Sequence, residues 1–342
     1  MKLWLLILLA IMPSIVFADT QACRKTDPEN KRPRIGLVLG GGGARGFAHI
    51  SVIKELERRH IPIDCIAGTS MGALIGGLYA SGMSIEEIEK MVVELDWAGT
   101  FDDSLERPER SFRRKRDDDL SLLNAKPGIG KSGIKITSGL LAGENIMLLL
   151  ERLSNEASRS GNFDQLVIPF RAVATDINTG EAAVLRSGNL SIAMRASMSI
   201  PGVLRPVKIG NQLLVDGGIV DQLPVNVVRG MGADIVIAVD VGTPLASLDE
   251  NASILSFADQ LGSLMTVSNT KASIESLGPN DVLIQPALGE KVRTGEFLKV
   301  KLALEIGHQA MQELGPQLSA LVRPGADKSD EKRIAVAAKY ER

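Results

Sequence analysis

The stretch 34–72, RIGLVLGGGGARGFAHISVIKELERRHIPIDCIAGTSMG, constrains what this chain can fold into more than any other. An apolar run, Ile35–Leu39, predicts a strand that empties into Gly40-Gly41-Gly42-Gly43-Ala44-Arg45-Gly46. Phe47, Ile50, Ile53 and Leu56 then recur at helical spacing and make one apolar face. A second apolar run, residues 63–67, predicts a strand entering Gly68-Thr69-Ser70-Met71-Gly72. That G-x-S-x-G, with strand before and helix after, is the pattern of a sharp turn that exposes a serine nucleophile. Gly68 and Gly72 let strand and helix pass close to each other while Ser70 sits at a strained apex.

The glycine loop suits the chemistry such a serine performs. Acyl transfer builds negative charge on a carbonyl oxygen, and backbone N–H groups aimed at that oxygen stabilise it. Consecutive glycines let main-chain amides approach without side chains in the way, and the following helix adds the positive end of its dipole. Arg45 has two readings here, an anion ligand or a brace for the loop. Gly41-x-Gly43-x-x-Gly46 also matches a dinucleotide fingerprint, but that reading wants an acidic residue at the end of the second strand, where the G-x-S-x-G stands instead. No Gly-Lys-Ser/Thr follows, which excludes a Walker phosphate loop.

A serine hydroxyl needs a base. The chain has three histidines, His49, His60 and His308. His60 ends a polar helix tail, His308 falls in the last long helix, and His49 is spaced to support the glycine loop rather than reach Ser70. Asp216 is the better base: the run 213–215 delivers it to a strand end, where active-site groups of open α/β sheets gather, and Gly217-Gly218 lets the chain turn away beside it. Asp176 and Asp221 are spare carboxylates with weaker claims, Asp221 as a brace for its loop.

Taken together, Gly41-Gly42-Gly43-Ala44-Arg45-Gly46, the serine turn and Asp216-Gly217-Gly218 resemble the three signatures of the bacterial patatin-like phospholipases, a family of serine acyl hydrolases. The resemblance covers roughly residues 33–321 and takes in Ala174-Thr175-Asp176, Thr179-Gly180-Glu181 and the run ASMSIPG at 196–202. It implies a three-layer α/β/α sandwich with a mostly parallel central sheet, and a Ser70–Asp216 dyad. It further implies an oxyanion hole at Gly41, Gly42, Gly43 and Ala44, supported by Arg45, Gly68, Gly72, Gly217 and Gly218. The expected substrate is a phospholipid or other acyl-ester lipid met at a membrane surface. The scheme needs no cofactor, and the sequence offers no metal-ligand cluster. A small-ester or thioester hydrolase using the same dyad, or a catalytically silent lipid-binding protein, are the alternatives.

The remainder of the chain sets the boundaries. Residues 1–18 resemble a secretory signal peptide: Lys2, an apolar run at 3–11 too short to span a bilayer, and a Val16-Phe17-Ala18 cleavage site. Export to the periplasm or the medium follows as an expectation. A lipoprotein site at Cys23 is the lesser alternative, because leucine is missing three residues before it. Residues 19–32 form a polar lead segment, 33–322 the hydrolase domain, and 323–342 a charged tail or linker. Of the two cysteines, Cys65 stands mid-strand and is expected to pack as a small buried residue; a bridge to Cys23 is the less favoured reading. Within the domain, 99–143 changes character, with charges crowded at 106–119, and reads either as a solvated loop or as a mobile lid over the site. A hydrophobic fraction of 44% supplies a full core, and a net charge of −2, with no basic cluster interleaved with aromatics, gives no case for a nucleic-acid partner. Oligomeric state is not legible.

Overall fold

The computed structural model describes residues 22–23, 32–101, 128–130, 133–135, 139–154, 161–245, 254–314 and 318. The signal-peptide segment 1–18, most of the lead segment, the charged stretch 106–119 and the tail 323–342 lie outside the described residues. The strands are β1 (Ile35–Leu39), β2 (Cys65–Thr69), β3 (Gly128–Gly130), β4 (Gly133–Lys135), β5 (Gly139–Leu141), β6 (Phe170–Asp176), β7 (Glu181–Leu185), β8 (Gly202–Leu204), β9 (Val207–Ile209), β10 (Gln212–Asp216), β11 (Ile235–Val239) and β12 (Val282–Ile284). The α-helices are α1 (Ala48–Arg58), α2 (Met71–Ala80), α3 (Ile85–Glu94), α4 (Trp97–Phe101), α5 (Glu144–Ser154), α6 (Leu190–Ser197), α7 (Val225–Gly230), α8 (Ile254–Glu275) and α9 (Val300–Glu313).

Alternation along β1 sorts the molecule into layers. Ile35, Leu37 and Leu39 face a core shared with α1, α2, α3, α5, α6 and α9. Val38 faces the opposite core, shared with α7 and with Ala22 and Cys23. Covered on both faces, β1 and β11 read as continuous apolar runs, the habit of parallel strands. The sheet runs β12-β11-β1-β2-β6-β10-β9, with β7 also paired to β6. Its first five strands are parallel, and β7, β9 and β10 are antiparallel additions. This is the three-layer, mostly parallel α/β architecture expected from the sequence.

Register on β6 builds the site. β7 pairs with β6 from Ala172 to Asp176. That span overlaps the partners of β2, which end at Thr69 opposite Val173, and those of β10, which end at Asp216 opposite Ala174. A strand has two edges, so β2 and β10 share the one that β7 leaves. β2 runs parallel to β6 and β10 antiparallel, so their C-terminal ends point at each other across one residue step. Ser70 follows the first end, and Asp216 closes the second.

Two readings need correction. β2 begins at Cys65 and runs through Thr69, two residues beyond the predicted 63–67. The buried Asp64 carboxylate accepts hydrogen bonds from the Ile35 N–H and the Arg32 guanidinium, so a side chain does the work of the ladder there. Gly68 and Thr69 meanwhile pair with Leu39 and Val173. The second correction is a disulfide between Cys23 and Cys65, Cα atoms 4.9 Å apart. Ala22 and Cys23 are an apolar pair inside a polar segment. They bury themselves against Val38, Ala67, Val225 and Val228, and the Cys23 N–H donates to Met231 O.

Other elements follow their local signals. Ser84 and Glu87 form the capping box that opens α3. Of the segment 99–143, residues 102–127, 131–132 and 136–138 lie outside the described ones. Its near end is anchored where Trp97 packs on Phe47, Phe101 and Phe297. Its far end is anchored where β5 pairs with β8.

Candidate active site

Ser70 sits between β2 and α2 at φ 53°, ψ −121°, a left-handed backbone that a non-glycine residue adopts only when its surroundings impose it. The imposition is visible at Gly72, where a Cβ would lie 2.1 Å from Leu39 O. No side chain fits, so strand and helix close tightly and the turn between them is forced. The Ser70 N–H donates to Ser197 Oγ at 2.9 Å, and Ser197 Oγ donates to Val173 O at 2.5 Å.

Ser70 Oγ donates to Asp216 Oδ2 at 2.7 Å across 146 residues of sequence. Both residues are buried. The other carboxylate oxygen of Asp216 accepts from the Gly218 N–H at 2.8 Å. Its backbone is fastened as well: the Asp216 N–H donates to Ser199 O, and Thr175 Oγ1 donates to Asp216 O. Ser199 is held in turn by the buried Arg195 guanidinium. Burial raises the Asp216 pKa to about 6, against the opposing pull of the hydrogen bonds from Ser70 and Gly218. A carboxylate that titrates there is basic enough to take a proton and ionised enough at neutral pH to do so.

The histidines lie apart from this pair. His49 is buried, its Nε2 2.8 Å from Gly40 O, and burial lowers its pKa to about 4, so the ring is neutral and donates to that carbonyl. It supports the glycine loop, as its spacing suggests. His308 is exposed beside Gln312, and His60 follows the end of α1. Asp176 accepts from the Asn178 N–H in the β6–β7 turn. Asp221 braces its loop through its backbone carbonyl, which accepts from Thr69 Oγ1, while burial raises its carboxyl pKa to about 6.

In the glycine loop the sequence reading placed four amides in one donor set. The structure divides them. The Gly41 N–H donates to Gln222 O at 3.1 Å and the Ala44 N–H to Thr294 O at 2.8 Å. Those two are committed to the fold and leave the set. The N–H groups of Gly42 and Gly43 have no acceptor among the described residues. Gly43 has φ 54°, and a Cβ on it would meet Thr294 O at 2.4 Å, so only glycine presents this amide here. Arg45 resolves as a brace: its guanidinium donates to the carbonyls of Val241, Gly242, Gly289 and Val292. No anion is needed to explain it. Among the described residues no group of His, Cys, Asp and Glu is arranged to hold a metal ion.

Ser197, Gln222, Asn269 and Thr294 belong to this site and were not read as such. Ser197 stands in the ASMSIPG run and Gln222 six residues past Asp216, while Asn269 and Thr294 carry no local signal at all.

A family model described as patatin-like phospholipase matches residues 37–229, more than half of the chain and all three signatures. The chain belongs to the patatin-like phospholipase family. Among curated proteins, this family member is similar to an uncharacterised NTE family protein of Mycobacterium tuberculosis, 36% identical over 209 residues, which are 61% of this chain and 49% of that protein. A lysophospholipase of Mycosarcoma maydis is 37% identical over 209 residues, 61% of this chain and 10% of that one. The human patatin-like phospholipase domain-containing protein 6 is 35% identical over 212 residues, 61% and 13% respectively. The chain thus spans about half the length of the mycobacterial relative and a small part of the eukaryotic ones. Among solved structures, VipD from Legionella pneumophila has a TM-score of 0.47 at 17% identity, covering 89% of this chain and 74% of that one.

Proposed function

We propose that this protein is an exported lipid acyl hydrolase that cleaves fatty acyl esters of phospholipids or lysophospholipids through a Ser70 acyl-enzyme. The observation that carries the reading is the 2.7 Å hydrogen bond from Ser70 Oγ to a buried Asp216 whose pKa is raised to about 6. Ionised Asp216 takes the Ser70 proton as Oγ attacks the ester carbonyl. The amides of Gly42 and Gly43 stabilise the oxyanion. The tetrahedral intermediate collapses, and the alcohol leaves with the proton that Asp216 held. Water, deprotonated by Asp216, then attacks the acyl-enzyme and releases the fatty acid.

Family membership and the lysophospholipase relative support a lipid substrate, which such an enzyme meets at a membrane surface. Among the described residues no helix is long and apolar enough to cross a membrane. Export is supported by the signal-peptide pattern at 1–18 and by the Cys23–Cys65 disulfide, since such bonds persist in oxidising compartments. A Cys23 sulfur bonded to Cys65 also has no valence left for a lipoprotein thioether.

The test is labelling of the purified chain with a fluorophosphonate probe, followed by peptide mapping and phospholipid hydrolysis assays. We expect an adduct on Ser70, absent in Ser70→Ala and formed far more slowly in Asp216→Asn. Ester hydrolysis that survives Ser70→Ala overturns the mechanism.

A further inference from the structure

Gln222 and Asn269 connect the two halves of the site, and neither touches Ser70 or the Asp216 carboxylate through a hydrogen bond. Gln222 takes both polar backbone groups of Gly41: its carbonyl accepts from the Gly41 N–H at 3.1 Å, and its Nε2 donates to Gly41 O at 2.8 Å. Gly41 immediately precedes the two amides left without acceptors. Asn269, on α8, accepts the Gln222 N–H at 3.0 Å and donates to the carbonyls of Gly218 and Ile219 at 3.0 and 3.2 Å. Gly218 in turn donates to Asp216. The Gln222 amide is wedged between the loops: a Cβ on Gly41 would lie 2.5 Å from its Oε1, and one on Gly218 would lie 2.3 Å from it. Two glycines of two separate signatures are therefore needed to admit one side chain.

We propose that Gln222, oriented by Asn269, is a positioning residue that locks the Gly42 and Gly43 amides in register with the Ser70–Asp216 pair, so that the oxyanion donors and the base keep one fixed spacing. This rests on the mechanism proposed above. A misplaced donor set weakens transition-state binding while leaving ground-state lipid binding alone, because the donors aim at the oxyanion.

The experiment compares wild type, Gln222→Glu, Gln222→Met and Asn269→Ala on a soluble ester, with circular dichroism to confirm folding. It reads kcat and KM separately, affinity for a trifluoromethyl ketone that forms a tetrahedral adduct with Ser70, and the pH profile. Expected are kcat losses of about 10- to 100-fold, KM within about threefold, and ketone affinity falling in step with kcat/KM. Gln222→Glu carries a further signature. Its carboxyl can donate to Gly41 O only when protonated, so activity falls again as pH rises, a limb that wild type lacks. The ionisable groups carried on the same loops, Asp216, Asp221 and Asp240, are acidic and hold that carboxyl protonated to higher pH; Arg45 acts the other way. Should Gln222→Glu misfold, Asn269→Ala and the ketone series still decide. Folded variants with wild-type kcat and ketone affinity overturn the inference, as do losses confined to KM. A wild type without Ser70-dependent activity would instead overturn the mechanism beneath it.

Discussion

The serine and the aspartate of this site are delivered by two kinds of construction. The parallel side, β1, β2 and α2, is closed by backbone against backbone: Gly72 faces the Leu39 carbonyl, and a Cβ on Gly68 would lie 2.4 Å from Gly72 O. The side where β10 meets β6 has one such approach, a Cβ on Gly217 lying 2.2 Å from Val173 O, and adds side chains to it, with Ser197 under the Ser70 amide and Gln222 and Asn269 around the Asp216 turn. Backbone contacts admit one residue type and fail by steric collision. Side-chain contacts are hydrogen bonds, which fail by degrees. Altering the backbone contacts should therefore break the fold, and altering the side-chain hydrogen bonds should break the activity of a protein that still folds.

The largest effect is expected from Gly72→Ala. The new Cβ meets the Leu39 carbonyl, which sits in the central ladder and cannot step aside. We expect a loss of more than about 4 kcal/mol, read as insoluble protein or a collapsed denaturation midpoint. A Gly72→Ala protein with wild-type stability would break the comparison outright.

Next comes the disulfide, also on the parallel side. Removing it with Cys23→Ser/Cys65→Ser is expected to cost about 4 kcal/mol on chain-entropy scaling for residues 42 apart. The ladder of β2 stays intact, so kcat should hold at temperatures where the variant is folded. Urea denaturation with and without a dithiol reductant measures the first part, and ester hydrolysis the second.

Asp216→Asn should act in opposite directions on activity and stability. The carboxyl rises from 3.8 to about 6 on folding, so the folded state binds the proton more tightly than the unfolded chain does. Its stability penalty grows as pH rises through that window and is complete above it. At neutral pH the amide should stabilise by up to about 3 kcal/mol while abolishing turnover. In wild type, kcat/KM should fall tenfold per pH unit below about pH 6. Thermal denaturation of Asp216→Asn across pH 4–8 and a pH–rate profile of wild type check both signs.

The smallest effect belongs to Ser197→Ala. It leaves the Ser70 N–H and the Val173 carbonyl without their partner, a cost of about 1–2 kcal/mol. The Ser70 turn loosens, and kcat should drop about tenfold with the melting temperature only slightly lowered. A large melting shift with unchanged kcat would place Ser197 on the wrong side of the comparison.

The same division explains what was legible. The glycine signatures, the strands that lead into them and the Ser70–Asp216 pairing are legible because steric exclusion leaves glycine as the only choice and repeats as a pattern. Arg45 stayed ambiguous because a guanidinium that binds an anion and one that binds four carbonyls look alike in sequence. The donor set was read too widely because nothing in four consecutive small residues says which amides the rest of the fold will claim. Gln222 and Thr294 carry no signal because a polar residue in a loop has no period, and Asn269 carries none because a single polar residue on a helix looks like solvated surface. Cys23 was misjudged because its burial depends on Met231 and α7, about 200 residues away.

The head-to-head meeting of β2 and β10 on β6 also sets a timetable. A ribosome has made Ser70 long before it makes Asp216. The glycine loop waits longer still, for carbonyls between Val239 and Thr294. On the proposed mechanism, the serine has neither base nor oxyanion donors until those late residues have emerged and docked, and the growing chain is unable to cleave an ester before then.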